Sequence, residues 1–345
     1  MISRRSLLKN AAGAALSTAL PLFPHVRAQD PAHILGHANF RYRIVPDWGL
    51  LSSDSPVNNC HGIVCDQEGH VILLTDHTAN NVLIYHPNGR LAHKWGTTFP
   101  GAHGLSIVTE GTREVLYLTC LQTHRVVKAT LDGQILQEWA CPMQSAKYQR
   151  PEDYKPSWTL HLPDGSFLVL DGYGRDYILH YAADGSYRRT LGGPEGGITH
   201  WGPHGGMVDP RSADAPSLLI AMSDQQHLLH LALDGSHLRK ISLPGGNPRQ
   251  IRFHDQHFFV AHLADNWPKD RNSRGFLSVL DSKLRVVSNV GGTAPAYDDD
   301  GNLLPMRSLE PVFTHPHDLV AGNDGSLYVA QFASGRTYPL KLERI

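Results

Sequence analysis

Residues 156–185 read PSWTLHLPDGSFLVLDGYGRDYILHYAADG, and this stretch contains the unit from which the chain is built. Proline and small residues lead into a short apolar strand, which ends at the turn Asp164-Gly165. A second apolar strand then runs to a polar corner at residues 171–174, and a third runs to the turn Asp184-Gly185. Asp-Gly pairs between alternating apolar residues are strong signals for β-hairpins. The stretch therefore predicts three antiparallel strands of one small sheet.

The same unit recurs along the chain, each time with a proline or small residue before its first strand. Its six copies begin at Cys60, Ala102, Pro156, Pro203, Pro248 and Pro316. Copies of roughly 40 to 50 residues, each with three or four strands, are typical of a propeller. A solenoid is the alternative, but solenoids usually carry capping repeats, and the sequence shows none. We therefore predict an all-β, six-bladed β-propeller.

The sixth copy lacks one strand, because the chain ends with residues 337–345. The extended stretch Phe40–Val45 precedes the first copy and has no partner there. We predict that this N-terminal strand completes the last blade and closes the ring. Closure of this kind removes the exposed strand edge that a partial sheet would present.

The N-terminal segment differs in composition from the repeats. Arg4-Arg5 precedes a mildly apolar run at residues 11–23, and small residues follow up to Ala28. This order resembles a twin-arginine signal peptide. A membrane anchor is the alternative, but the run is shorter than the roughly 20 residues that cross a bilayer. We therefore expect a cleaved signal at 1–28, a single propeller domain at 29–345, and a periplasmic or secreted protein without membrane insertion.

The net charge and the spacing of the cysteines argue against several classes of function. The formal net charge is −1, so there is no electrostatic basis for binding nucleic acid or a membrane surface. We expect a monomer with a small-molecule or peptide substrate at the channel mouth. The cysteines have no CxxC spacing, which argues against a zinc-ribbon or thioredoxin-type site. In an oxidising compartment one or two disulfides could form among the four, which are Cys60, Cys65, Cys120 and Cys141.

Histidine is unusually frequent at one position of the repeat. The residues that begin the innermost strands, at one face of the channel, are His61, His103, Ser157, His204, Arg249 and His317. Four of these six are histidines, whereas the whole chain has 22 histidines in 345 residues. A single such histidine could simply bond the backbone of a neighbouring blade. Four at one mouth favour a metal or catalytic site, because neutral imidazoles from separate blades can converge on one ion.

Two further residues are candidates for the chemistry. Tyr173 lies at the polar corner of the third copy, where its phenol could act as a general base if a cation lowered its pKa. The alternative is an aromatic ring that supports a turn. Asp318 follows His317 and could form a turn, bond a histidine or bind a hard cation such as calcium. Loops at 265–275 and 293–314 are longer than the repeat requires and are candidate functional regions.

Short runs around these residues match a known family, namely Ala102–Ile107, Asp171–Tyr173, Gly202–His204, Pro316–Val320 and Asp324–Tyr328. They resemble NHL-type propeller repeats and, more narrowly, the catalytic domain of the peptidyl-α-hydroxyglycine α-amidating lyases (peptidylamidoglycolate lyases). The resemblance covers nearly all of the chain after the signal. It implies a six-bladed propeller that cleaves a peptidyl-hydroxyglycine N–C bond into an amide and glyoxylate.

The resemblance also implies roles for individual residues. Zinc would be bound by His103, His204 and His317, and Tyr173 would be the catalytic residue. A structural calcium would be held by Asp318 and by backbone carbonyls, which the resemblance places at Leu105 and Ile63.

The chain departs from the family pattern at the positions that would bind a substrate carboxylate. Thr75 and Ser223 lie near the sites of two family arginines, and neither can clamp a carboxylate in bidentate fashion. His61 is an additional histidine and a possible fourth metal ligand. We predict a lyase-like enzyme with zinc or another divalent transition metal and an altered substrate. The alternatives are a non-catalytic NHL-type binding module that uses the long loops, a metal-dependent hydrolase, or a His-ligated iron oxygenase, since imidazole suits zinc and iron.

Overall fold

The computed structural model describes residues 33–49, 52–200, 202–211, 214–309, 311–335 and 338–345. Its strands form six antiparallel sheets, and the innermost strand of each sheet contacts the innermost strands of the two neighbouring sheets, which closes a ring. The predicted six-bladed β-propeller is thereby confirmed. The predicted signal at 1–28 lies outside the described residues.

Each of the first five blades has four strands in chain order, with the first strand innermost. The first two blades comprise β3 (Cys60–Cys65), β4 (Val71–Thr75), β5 (Val82–Tyr85) and β6 (Leu91–Trp95), then β7 (Ala102–Glu110), β8 (Arg113–Cys120), β9 (Arg125–Thr130) and β10 (Ile135–Ala140). The third and fourth comprise β11 (Trp158–His161), β12 (Phe167–Leu170), β13 (Tyr177–Tyr181) and β14 (Tyr187–Gly192), then β15 (Pro203–Val208), β16 (Ser217–Met222), β17 (His227–Ala232) and β18 (His237–Ser242). The fifth comprises β19 (Pro248–His254), β20 (His257–His262), β21 (Phe276–Leu280) and β22 (Val286–Val290).

The sixth blade is built from both ends of the chain. Its inner strands are β23 (Pro316–Ala321), β24 (Leu327–Gln331) and β25 (Leu340–Arg344). The fourth strand is β2 (Phe40–Val45), which pairs with β25 and confirms the predicted closure. A short β1 (Leu35–His37) adds a fifth, outermost strand that the sequence did not predict.

Helical structure is minor in the described residues. Four 3-10 helices connect strands, at Met143–Ser145, Pro151–Asp153, Pro194–Gly196 and Ser223–Gln225. No helix in the described part of the chain is long and apolar enough to cross a membrane. The four cysteines all lie in the described part, and they are thiols rather than the disulfides that the sequence allowed.

The apolar core is divided into six clusters, one at each interface between neighbouring blades. Between the second and third blades, for example, Phe167 packs 4.9 Å from the ring of Trp139 and 5.0 Å from that of Tyr181. Burial of one large apolar side chain contributes roughly 1.5–3 kcal/mol. The blades are therefore held to one another by side chains, while backbone hydrogen bonds hold the strands within each blade.

Most of the innermost strands share a break in their pairing, which determines where the side chains at their start point. In five of the six, the pairing with the second strand shifts register at the start of the strand. The shifts pass over the residues predicted to ring the channel, which are His61, His103, His204, Arg249 and His317. A β-bulge takes a residue out of the ladder and re-aims its side chain. The bulges thus turn these side chains toward the channel.

Candidate metal centre

The four predicted histidines come together at the channel mouth. The ring centroids of His103 and His317 lie 4.7 Å apart. His204 lies 4.8 and 4.7 Å from these two rings, and His61 lies 4.8 and 4.6 Å from the same two rings on the other side. The four rings thus form two triangles that share the edge between His103 and His317. In the triangle with His61, one nitrogen from each ring lies within 4.8 Å of the others. His61, His103 and His317 thus form a buried group that could bind a metal ion.

Three of the histidines are oriented by the same contact with the next blade. The Nδ1 atoms of His103, His204 and His317 bond backbone carbonyls of Ser157, Arg249 and His61 at 2.9, 2.9 and 2.7 Å. A carbonyl only accepts, so each Nδ1 carries the proton and each neutral ring keeps its lone pair on Nε2. The three blades are the second, fourth and sixth, so this set is spaced evenly around the ring.

The remaining nitrogens of these rings differ in their partners. His103 Nε2 is buried and has no hydrogen-bond partner among the described residues. His204 Nε2 lies 2.9 Å from the Tyr173 hydroxyl, and His317 Nε2 lies 3.3 Å from His61 Nδ1. Because both Nε2 atoms have lone pairs, the phenol and the His61 Nδ1–H are the donors. All three Nε2 atoms are therefore acceptors at the mouth.

Burial keeps these imidazoles neutral. Burial and, to a smaller extent, the positive charge of Arg249 together lower the pKa of His61 to about 3. Burial also holds the pKa values of His103, His204 and His317 well below the usual range. Neutral imidazole is the form that binds metal ions, so protons do not compete for these nitrogens near neutral pH.

The glycine after two of the histidines makes their carbonyl contacts possible. A Cβ on Gly104 would lie 2.4 Å from the Ser157 carbonyl oxygen, the acceptor of the His103 bond. On Gly205 it would lie 2.3 Å from the Arg249 carbonyl oxygen, the acceptor of the His204 bond. The glycine of each His-Gly pair is therefore needed for close approach to the next blade. These pairs are visible in the sequence and could have predicted the contact.

Replacing Gly104 by alanine should force this contact apart. We expect the Gly104→Ala variant to lose about 1–3 kcal/mol of unfolding free energy, the usual cost of overpacking. Denaturant unfolding of the variant and of Gly196→Ala would measure this. Gly196 has no atom within 4 Å of an added Cβ, so its variant should be near wild type. Equal stability of the two variants would show that the approach at Gly104 is not tight.

Tyr173, the predicted catalytic residue, lies beside the histidines. Its ring is 5.0 Å from that of His103 and 5.4 Å from that of His204. Burial raises the pKa of its phenol, while Arg249 lowers that pKa and Asp224 raises it. The hydroxyl is therefore protonated near neutral pH and donates to His204.

The calcium prediction is not supported by the structure. The groups proposed for it, Asp318 and the carbonyls of Ile63 and Leu105, do converge, but on the guanidinium of Arg252. Arg252 bonds both carboxylate oxygens of Asp318, at 3.0 and 2.5 Å, and lies 3.1 and 3.4 Å from the two carbonyl oxygens. A side-chain cation thus occupies the place where an ion was expected. The sequence analysis missed Arg252 because its partners lie in other blades.

Removing Arg252 should leave the Asp318 carboxylate, which is fully buried, without its charged partner. We expect Arg252→Ala to lose about 3–5 kcal/mol of unfolding free energy, as when one member of a buried ion pair is removed. The control is Arg43→Ala, since the Arg43–Glu343 pair is about half exposed and surface pairs contribute about 0–1 kcal/mol. A chelator of calcium should leave the wild-type melting temperature unchanged. A fall in that temperature, or equal losses in the two variants, would contradict the assignment.

A cavity of about 560 Å³ lies over His61, His103 and His317. Asp76 and Asp224, which follow the second strands of the first and fourth blades, lie in its wall because antiparallel second strands return to the face where the first strands begin. The loop at 265–275 contributes Trp267, Pro268 and Arg271. The loop at 293–314 instead lines a separate cavity of about 680 Å³ with the first loop. Only one of the two long loops therefore reaches the candidate site.

The histidines fit a divalent transition-metal ion by their donor chemistry. A purely structural histidine would use its Nδ1 bond and leave Nε2 to solvent or to a donor, because buried polar atoms are rarely without a partner. His103 Nε2 is a buried acceptor that lacks one among the described residues. Histidine ligands are commonly oriented by a hydrogen bond from the other ring nitrogen to a backbone carbonyl, which is the arrangement at His103, His204 and His317.

No family model matches the chain, and no curated protein matches its sequence. Solved structures match its fold. A virginiamycin B lyase from Staphylococcus aureus has a TM-score of 0.55 at 13% identity, over 89% of this chain and 100% of that one. A proposed oxidoreductase (glucose dehydrogenase) from Thermus thermophilus has a TM-score of 0.54 at 15% identity, over 87% and 99%. A protein of unknown function from Bacteroides thetaiotaomicron has a TM-score of 0.56 at 12% identity, over 85% and 70%. At these identities the likeness shows the propeller fold alone.

Proposed function

We propose that the protein is a metal-dependent, lyase-like enzyme in which His103, His204 and His317 hold a divalent transition-metal ion, zinc in the first instance. The observation that carries this proposal is the shared bond from each Nδ1 to the next blade, which leaves three Nε2 acceptors at one mouth. His61 is the candidate fourth ligand, since its ring lies against His103 and His317.

The chain's own residues would bind the substrate and move its proton. A divalent ion here would supply a Lewis acid for a substrate oxygen. For a hydroxyglycine-capped substrate, the carbon–nitrogen bond breaks as the hydroxyl proton leaves and its oxygen forms the aldehyde of glyoxylate. The nitrogen keeps the bonding pair and takes a proton, which gives the amide. Tyr173 is the group placed to relay this proton, because its hydroxyl lies at the Nε2 of His204. Its protonated phenol would give its own proton to the nitrogen as it takes the proton of the substrate hydroxyl.

Recognition of the substrate would differ from that of the amidating lyases. Thr75 Oγ1 accepts hydrogen bonds from the backbone N–H groups of Asn58 and His77, and Ser223 Oγ donates to the Pro248 carbonyl. Both hydroxyls are therefore engaged with the backbone at the corners where the family has arginines. This supports a lyase-like chemistry with an altered substrate.

The reaction can be tested with glyoxylate as the readout. We expect protein as purified to release glyoxylate from an N-acyl-α-hydroxyglycine, to lose this activity after chelation, and to regain it when zinc is restored. Release that is unaffected by chelation would contradict a metal-dependent reaction. If the metal-loaded protein releases none, the amidating-lyase type of reaction is excluded.

We also propose that the protein is exported, on the basis of Arg4-Arg5 and the apolar run that follows. Changing both arginines to lysine should retain the protein in the cytoplasm of its host. Cell fractionation tests this, and an unchanged periplasmic or secreted fraction would contradict a twin-arginine route.

A further inference from the structure

The side chain of Arg249 is a buried cation that the metal centre does not use. It lies at the bulge of β19 and lines the cavity over the histidines. Its exposed fraction is 6%, and its Nε is buried without a hydrogen-bond partner among the described residues. The carboxylate of Asp224 forms a long ion pair with it, with 3.9 Å between Asp224 Oδ1 and Arg249 Nη2. The same oxygen also accepts a hydrogen bond from Asn247. Burying a guanidinium with an unmade hydrogen bond is costly.

The other arginine on the same strand makes its hydrogen bonds within the fold, so the unmade hydrogen bond is specific to Arg249. Arg252 lies three residues further along β19 and bonds both oxygens of Asp318 and two carbonyls. The strand therefore carries one arginine satisfied by the fold and one that faces a cavity. An arginine such as Arg249, which faces a cavity, is typical of a binding site for an anionic ligand.

In the metal-free cavity the charges favour an anion with a single charge. The fixed charges are those of Asp76, Asp224, Arg249 and Arg271, which sum to zero. With no metal ion bound, a monoanion at Arg249 therefore leaves a net charge of about −1, whereas a phosphate dianion leaves about −2 and is repelled more strongly. A carboxylate also matches the planar guanidinium in bidentate fashion.

One part of the cavity wall is apolar and consists of Leu263, Trp267 and Phe332, while Asn59 and Gln122 add polar groups elsewhere. The ring of Phe332 lies 5.6 Å from that of His61, so the apolar wall reaches the histidines. Pockets for small ligands typically combine an apolar lining with a few polar groups that fix orientation.

We propose that Arg249 binds the carboxylate of a small organic acid whose apolar body lies against Trp267 and Phe332. This inference rests on the proposed function in that the same cavity serves both. Arg249 and the metal centre are separate groups, so they can be tested separately.

The test is isothermal titration calorimetry at pH 8 with phenylacetate, phenylacetamide and phenyl phosphate. The amide has the same apolar body without the charge, and the phosphate has a second charge. We expect phenylacetate to bind most tightly, both to protein as purified and to chelator-treated protein. Arg249→Gln should weaken phenylacetate binding roughly 10- to 100-fold, as expected for a hydrogen bond to a charged group. The control Arg239→Gln, on the exposed outer strand β18, should bind as wild type.

Several results would overturn the inference. They are no binding of phenylacetate, equal binding of the acid and the amide, tighter binding of phenyl phosphate, or an Arg249→Gln variant that folds and binds as wild type. A preference for the acid that disappears on chelation would assign the anion to the ion instead of Arg249. If Arg249→Gln does not fold, the comparison of the three probes on wild type still decides. A protein that binds no metal but keeps the Arg249-dependent preference would overturn the proposed enzyme and leave this inference standing.

Discussion

Replacing His103 and His317 together by alanine should abolish tight binding of a divalent metal ion. Both triangles of rings contain these two histidines, so the double variant removes two ligands whichever third histidine completes the site. Even changes to the partners of ligands weaken metal binding by about 10- to 100-fold. We therefore expect more than about a 100-fold loss of affinity. Elemental analysis of purified protein and competition with a chromophoric chelator measure it.

The matched control replaces two histidines outside the site. His93 and His237 are exposed on the outer strands β6 and β18. The His93→Ala/His237→Ala variant should keep the wild-type metal content and melting temperature. Single His204→Ala and His61→Ala variants then identify the third ligand, and the Nδ1 bond of His204 to the backbone predicts the larger loss at His204. Wild-type metal content in the His103/His317 variant, with the fold intact by circular dichroism, would refute the site.

The Tyr173→Phe variant should lose most of its activity while keeping its metal. It removes one hydroxyl, which donates to His204 Nε2, and leaves the ring between the second and fourth blades. General acid–base groups contribute typically 10²- to 10⁴-fold. We expect kcat for glyoxylate release to fall by about that factor, with a changed pH–rate profile and a small change in KM.

The control for this variant is Tyr177→Phe. The Tyr177 hydroxyl bonds Glu195 at an exposed position, so its loss should leave kcat and KM unchanged. A Tyr173→Phe enzyme with wild-type kcat would assign the proton transfer to another group. A loss of metal in that variant would instead show that Tyr173 supports the site structurally.

The fold could be predicted from the sequence because its signals are local. Each Asp-Gly turn needs a positive φ at its glycine, such as +95° at Gly133 and +93° at Gly235. The Asp-Gly pair in the sequence therefore indicates where each turn lies. The closing strand Phe40–Val45 was recognisable because it had no partner nearby. The strand β1 was not, since three residues carry no usable period.

The candidate site was predicted only in part. The equivalent positions in the repeat identified the four histidines, and the corner signal identified Tyr173. The bulges that aim the histidines are invisible in inner strands that are apolar almost throughout, because a period of two cannot be counted there. Arg252 and its partner Asp318 lie 66 residues apart, and no local pattern connects them. The sequence therefore could not show that Arg252 lies where calcium was expected, and the calcium prediction is not supported.

Anomalous diffraction from crystals of the protein as purified tests the central claim most directly. The account predicts a single strong anomalous peak at the channel mouth, about 2.0–2.1 Å from the Nε2 atoms of His103, His204 and His317. An edge scan on the same crystal identifies the element, and zinc is the expected result. Absence of a peak at these nitrogens, in crystals that show four ordered histidine rings, would contradict the account.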